Sequence, residues 1–593
     1  METAMRTLAM VLLALVATAQ ETQTAPLSGT SLINQHIKAK WDEAGLKAAK
    51  RSDDAEFVRR VYLDIVGVIP SLEEAQKFLD DKAMSKRRQL IEALCKDERY
   101  AKHWGDVWSG VIVGFDNDQR DQGVRLKATE DIHAMLAKNV PHDEFARRVI
   151  TVKGSTTERP GMSKEMEENK IEDVGLAGYV YNIQREAGKD FPLALVGKLT
   201  RSFMGVQIQC AQCHDHPFDK WTQEEFYGMA SFFGNVTARR QAFDEKAMME
   251  YMKAQRAEAK PGEKKPAEPM KRPEYYVVVG DRDGERTAAA ARPGRRMPGG
   301  GGDLSIPDGK GGPVKASFLV TGQGAVAGEA RRATFAKYMT SPDNLQFAKM
   351  QVNRVWAHFF GAGIVNPVDD FNAKNKATHP ELLDGLAKDF IAHKYDNHWL
   401  IQAIAGSDAY QLTSKSTSKE RDPATEKWFA IQRVRSLSPE QILRSLMEAT
   451  NLGDAPTARA GRDRKAMPGG GLDGRERALF GLLNQFRSNF GDDEGNEIVD
   501  FAGTIPSALL MMNSPVVGTA TSSQRFGALG ELLNKHATPE ARIKAIYLST
   551  LTRTPSDKEL SRWKAHVTKS SLTSGYEDLI WTLLNTSEFL FNH

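Results

Sequence analysis

Phe57-Val58-Arg59-Arg60-Val61-Tyr62-Leu63-Asp64-Ile65-Val66 decides the fold class. Phe57, Val58, Val61, Tyr62, Ile65 and Val66 recur at the 3.6-residue period, so they line one apolar face of a helix. Just downstream, Pro70 precedes Ser71, and Glu74 follows the serine by three residues. That is the capping-box order. The serine hydroxyl accepts from the third helical N–H and the glutamate reaches back to the serine N–H, so a second helix starts there.

The same order returns near the other end of the sequence. Tyr547, Leu548, Pro555, Ser556 and Glu559 match the offsets of Tyr62, Leu63, Pro70, Ser71 and Glu74. In each copy a further amphipathic stretch closes near an aromatic, Tyr100 after Leu94 and Phe589 after Leu583. The pattern reads either as an internal repeat or as two independent uses of the same capping rules. Between the copies, helical signals dominate. Asp190 is placed to cap a helix carrying Leu193, Val196, Leu199 and Phe203, with Gly205 suited to end it. Thr222 and Glu225 form a box ahead of Phe226, Met229, Ala230 and Phe233. Ser341 and Pro342 precede Leu345, Ala348, Val352, Val355, Trp356 and Phe359, and Thr378 with Glu381 suggests one more box.

From about residue 241 to 330 the composition changes to Lys, Glu and Pro, then Gly and Pro, which is a poor core former. Within it, Tyr275 to Val279 and Ala316 to Thr321 are β-branched and aromatic, and predict a small sheet or hairpin. Met297-Pro298-Gly299-Gly300-Gly301 and Met467-Pro468-Gly469-Gly470-Gly471 read as flexible loops. The expected architecture is therefore mainly α: a multi-helical two-domain protein with a small β element in the central insertion. Its segments are a signal peptide at 1–19, a helical domain at 20–240, the insertion at 241–330 and a second helical domain at 331–593.

The leader rests on Arg6, the apolar run Leu8 to Val16, and Ala17-Thr18-Ala19 as a small-residue cleavage site. The run is far short of the roughly 20 residues a spanning helix needs, and no later stretch is apolar for that distance. The expectation is an exported protein, periplasmic or at the cell surface, with no transmembrane segment after cleavage. The 80 basic and 77 acidic residues are interspersed and leave a net charge of only +3, so no global field attracts nucleic acid or a membrane surface.

Three cysteines occur in 593 residues, and two of them fall in Cys210-Ala211-Gln212-Cys213-His214. Two thiols three positions apart followed at once by an imidazole is the spacing of covalent c-type haem attachment, with both sulfurs in thioethers and His214 on the iron. Met229 is a candidate second axial ligand; Met204, His103, His133 and His142 are others. His216 cannot easily take that role because two residues of chain reach only about 7 Å and would have to pass around the macrocycle edge, and a five-coordinate iron is a further option. Two rival readings use the same residues. Cys210, Cys213, His214 and His216 are competent ligands for zinc or another transition metal, although four ligands within seven residues need help from elsewhere. Alternatively Cys210 and Cys213 form a disulfide or redox pair. Cys95, beside Leu94, reads as a buried free thiol.

No G-x-S-x-G elbow, H-E-x-x-H or G-x-x-x-x-G-K-[ST] loop is present, which lowers the odds of common hydrolases and NTPases, and no catalytic residue is assigned. Asp369-Asp370 and Asp492-Asp493-Glu494 lack EF-hand spacing and read as solvated loop carboxylates.

Several of these stretches carry a family resemblance. Gly205-Val206-Gln207-Ile208-Gln209-Cys210 through Trp221, and Arg59-Arg60-Val61-Tyr62-Leu63-Asp64 leading to Gly67 and Pro70, resemble the first domain of a family of exported, planctomycete-type proteins. Asn353-Arg354-Val355-Trp356, Asp369-Asp370-Phe371, His379-Pro380-Glu381-Leu382-Leu383 and Asn585 to Phe589 resemble its second domain. The resemblance implies a cytochrome-c-like N-terminal domain paired with a C-terminal domain of unknown function, and it brings no established reaction. The chain departs from the pattern in its long insertion and in Ile505-Pro506, where the family tends to have Thr-Pro. The resulting functional expectation is electron transfer, or a redox reaction with an unidentified partner. The competing expectation is a noncatalytic surface or scaffold protein whose Cys/His cluster holds a metal or a disulfide.

Overall fold

The computed structural model describes residues 28–114, 122–155, 175–217, 219–242, 245–258, 275–281, 302–307, 312–416, 422–450, 481, 483–487, 511–513, 515–523, 528–570 and 573–593. The leader, both Gly-rich breaks, Asp492-Asp493-Glu494 and Ile505-Pro506 lie outside them. Helices make up most of the described chain, and two small sheets complete it.

The opening stripe is a helix, Asp54–Val66, started by the Asp53 side chain and ended by Gly67 at φ 70°. The next helix, Leu72–Asp80, has the full box between Ser71 and Glu74. In the distal copy, helix Pro539–Leu551 ends at Thr552 with φ 60°, and Asp557–Lys569 has the same box from Ser556 and Glu559. Both copies also seat an arginine over the tyrosine and onto the box glutamate. Arg99 covers Tyr62 and pairs with Glu74, while Arg553 covers Tyr547 and pairs with Glu559. The repeat is thus a shared three-dimensional constellation.

Its opposite face is where the helix Asp54–Val66 departs from a simple amphipathic pattern. Arg59, Arg60, Leu63 and Asp64 are buried as thoroughly as the stripe. The cause is a second body of apolar side chains. One core joins Ile33 through Ala238 to Phe335 through Phe429; the other joins Leu63 and Ile69 to Leu437 through Phe589. The helix lies between them.

Most polar groups buried there are matched, with Arg59 Nε, Arg435 Nε and Asn592 Oδ1 lacking a partner among the described residues. Asp64 accepts from Arg435 at 2.8 Å, Asn592 at 2.7 Å and the Tyr410 hydroxyl at 2.7 Å. Arg60 pairs with Glu56 and donates to the carbonyls of Tyr410, Leu412 and His593. Arg59 donates to the carbonyls of Thr550, Glu588 and Phe589. Such satisfaction is required, because an unpaired charge in this position costs several kcal/mol.

Of the two expected forms, small sheet or hairpin, the β element is a small sheet. Tyr275–Asp281 is a strand, but its antiparallel partners are Val236–Ala242 and the short Gly154–Ser155. Ala316 to Thr321 forms no strand and contributes only an isolated bridge, Ser317 to Gly324. Phe318 is instead drawn into the core against Phe335. The second sheet pairs Arg435–Ser436 with Phe591–Asn592.

Three cap assignments also change. Asp190 stands at its N-cap position without a side-chain capping bond, since a 3-10 turn leads into helix Phe191–Met204. Helix Leu345–Phe360 starts at Asn344, because Ser341 and Pro342 are spent in the preceding turn. Helix Pro380–Ala392 starts at His379, and the Thr378 N–H and hydroxyl are both committed to the Ile364 carbonyl.

Candidate functional site

Helix Phe191–Met204 stops at Gly205, φ 63°, and Val206 to Ile208 lead into a single 3-10 turn, Gln209–Gln212. Ile208 and Ala211 are fully buried and hold the turn down, whereas Cys210, Cys213 and His214 are exposed. Side chains three apart eclipse in 3-10 geometry, so Cys210 and Cys213 share one edge of the turn. Both thiols are free, as is Cys95, which is buried as expected.

The loop after the turn is tied at several points. Asp215 accepts from the Gln223 N–H at 2.8 Å, and Gln223 Nε2 donates to the Gln212 carbonyl at 3.1 Å. The His216 N–H donates to the Trp221 carbonyl at 2.8 Å, and Thr222 with Glu225 completes its capping box ahead of helix Gln223–Ala230. His214 Nδ1 lies 2.7 Å from the Asp215 carbonyl. A carbonyl only accepts, so Nδ1 carries a proton, and Nε2 is the nitrogen left for a ligand. Metal-ligating histidines are oriented by the same kind of bond. Trp221 Nε1, in the same loop, is a buried donor with no acceptor among the described residues. Tyr227 is held protonated, its pKa raised first by burial and then by Cys213 and Asp190.

The approach to the turn is clamped from the distal half of the chain. Asp369 accepts from Arg201 Nε at 2.6 Å and from Gln207 Nε2 at 3.4 Å. The Phe371 N–H donates to the Gly205 carbonyl at 2.7 Å, and Gln346 Nε2 donates to the Met204 carbonyl at 2.7 Å. Asp369 is only 4% exposed, so its reading as a solvated carboxylate is corrected. Its partner lies 168 residues away, a distance over which spacing carries no signal.

The remaining candidates stay in their own surroundings. Met229 is 0% exposed and its Sδ accepts from the Leu319 N–H at 3.1 Å. Met204 is buried in the first core. His103 Nε2 is 3.2 Å from His358 Nε2, and His133 Nε2 is 3.0 Å from Asp106. His142 is enclosed by the rings of Trp108, Phe145, Phe203 and Phe347. Among the described residues, no three or more His, Cys, Asp or Glu side chains are grouped to hold an ion. His216 lies in the same loop as His214 and is half-buried.

For haem, the donor set fits: two free thiols on one edge, an imidazole with an available Nε2, and one orphan donor nearby. The apolar faces of the two flanking helices are already closed within protein, with Val196, Leu199, Phe203, Phe226 and Met229 at 0–1% exposure. The site therefore suits a group carried on the outside of the turn, not one enclosed between those helices.

Two family models match the chain. Residues 32–238 match PSCyt2, described as a protein of unknown function (DUF1549), and residues 331–567 match PSD1, described as a protein of unknown function (DUF1553). The chain pairs these two domains. No curated protein and no solved structure matches it. The first core contains side chains from both matched segments, and Asp369 of the second holds Arg201 and Gln207 of the first. No described helix is long and apolar enough to cross a membrane.

Proposed function

We propose that the Cys210-to-His214 turn is the attachment point of a c-type haem on an exported protein that serves electron transfer or a redox reaction. The observation that carries this reading is the His214 hydrogen bond from Nδ1 to the Asp215 carbonyl, which turns the other ring nitrogen, Nε2, to ligand duty beside two free, exposed thiols. Cys210 and Cys213 would hold the group through sulfur, and His214 would bind its iron. When bound, the haem supplies a one-electron couple. The capped helix Gln223–Ala230 and the Asp369 clamp keep the turn in place. Exposure of the turn favours exchange with an external redox partner over chemistry in a closed cavity.

A second reading uses the same pair of thiols. The shared edge of Cys210 and Cys213 also suits a reversible disulfide in a noncatalytic surface or scaffold protein.

Full-length protein matured in a host that attaches c-type haem distinguishes the two. Denatured protein should keep a haem absorbance, and the peptide spanning Cys210 and Cys213 should carry the added mass. A colourless protein whose peptide has lost one hydrogen from each sulfur selects the disulfide. Unmodified thiols, or zinc by metal analysis, reject both.

A further inference from the structure

Two imidazoles meet at the C-terminal end of helix Asp54–Val66. His103, on helix Glu98–Ile112, and His358, on helix Leu345–Phe360, approach with their Nε2 atoms 3.2 Å apart. His358 Nε2 is also 3.1 Å from the Asp64 carbonyl oxygen, and that carbonyl acts on His103 as well. Gly67 makes the approach possible, because a Cβ there would stand 2.2 Å from His103 Nδ1. Asp64 is held through its carboxylate by Arg435, Asn592 and Tyr410, which fixes its carbonyl in place.

Protons alone do not fill this geometry. A carbonyl only accepts, so His358 Nε2 carries the hydrogen it donates to Asp64. A hydrogen on His103 Nε2 would face that N–H, and without one His103 is reduced to a share of the bond His358 already makes. Two imidazole nitrogens and one carbonyl oxygen thus converge on a single proton. A metal ion uses all three electron pairs. Bonds of ~2.0–2.1 Å to the two nitrogens span 3.2 Å at an angle of about 100°, close to tetrahedral. The carbonyl belongs to the last turn of its helix, where the backbone dipole favours a cation. Both rings are neutral, chiefly through burial, so binding needs only that His358 moves its hydrogen to Nδ1. The charged side chains that act on the rings are Asp64, Arg435, Asp106 and Arg444, and each acid is bonded to its arginine.

We infer that His103 Nε2, His358 Nε2 and the Asp64 carbonyl bind a divalent transition-metal ion of the zinc, nickel or copper class. The third donor is main chain, so the site is not a group of three side chains. Imidazole nitrogens favour these ions over magnesium and calcium, which take oxygen shells. A solvent-derived donor completes the coordination. His103 lies in the first matched segment and His358 in the second, so the ion ties the two segments together. The site uses no residue of the cysteine turn and stands whether or not haem is attached there.

The full chain with Cys210, Cys213 and His214 replaced by alanine, stripped by a chelator and refilled, tests the inference apart from the turn. Zn2+ or Ni2+ should stay on this parent protein through gel filtration, by elemental analysis, and should raise its melting temperature, whereas Mg2+ should do neither. Co2+ should give the visible bands of a four-coordinate site without thiolate charge transfer. H103Q and H358Q, made in the same background, should each weaken Zn2+ binding about tenfold or more. Where a glutamine variant does not fold, the Co2+ spectrum of the parent decides. The inference is overturned if the stripped parent takes up no ion, if Mg2+ is retained equally, if the Co2+ bands are absent, or if H103Q and H358Q bind Zn2+ as the parent does.

Discussion

At the scale of single residues, the most consequential groups are neutral histidines sealed in the first core. His103 and His142 have pKa values well below the ordinary imidazole range, each because of burial first, with His358 next for His103 and Arg354 next for His142. His358 is pushed down to about 4, again by burial. In the unfolded chain each titrates near 6.5. Between the folded and unfolded values the unfolded chain binds more protons, so their stabilising contribution is present above about pH 6.5 and is lost as pH falls. Urea midpoints measured from pH 7.5 to 5 should decline, each histidine adding up to about 1.4 kcal/mol per pH unit. His142→Phe should flatten the decline, because a phenyl ring keeps the contacts with Trp108 and Phe347 and has no proton to take. A slope unchanged in that variant would remove His142 from the account.

At the scale of elements, the two copies of the capped helix pair differ in the residue that turns the chain. Gly67 and Thr552 both stop a helix in the left-handed region, at φ 70° and 60°. Glycine adopts that conformation freely, whereas a β-branched residue pays about 1–2 kcal/mol. At Gly67 there is also no room, since a Cβ would lie 2.2 Å from His103 Nδ1. Gly67→Ala should therefore destabilise by more than about 2 kcal/mol. Thr552→Gly should be neutral or stabilising by up to about 1 kcal/mol, because it relieves the backbone and removes a buried hydroxyl that has no partner among the described residues. Chemical denaturation of both variants checks the pair, and equal effects would contradict it. Elements of this kind were legible because their signals are local: Ser71 to Glu74, Thr222 to Glu225 and Ser556 to Glu559 each span one turn. The strand Val236–Ala242 was not, because Thr237, Arg239, Arg240 and Gln241 hide a strand in which only Val236 and Ala238 are seen to be buried. Likewise the cysteine spacing could be read directly, whereas the Asp369 clamp on its approach depends on a contact between distant segments.

At the scale of the whole molecule, two matched segments share one core, and the insertion between them contributes a strand and Phe318 to the same body. Fragments cut at the boundary, residues 20–330 and 331–593, should each lack cooperative thermal unfolding by circular dichroism, while the intact chain shows it. A sharp transition in either fragment alone would show that the shared core is dispensable. The helix Asp54–Val66 makes the dependence concrete. Arg59 donates to carbonyls 491 to 530 residues further along, Arg60 to carbonyls 350, 352 and 533 residues along, and Phe591–Asn592 closes a sheet against Arg435–Ser436. Pairings of such separation form late. During synthesis, therefore, the Arg59 guanidinium, made in the first tenth of the chain, waits for its carbonyl partners until the ribosome has nearly finished.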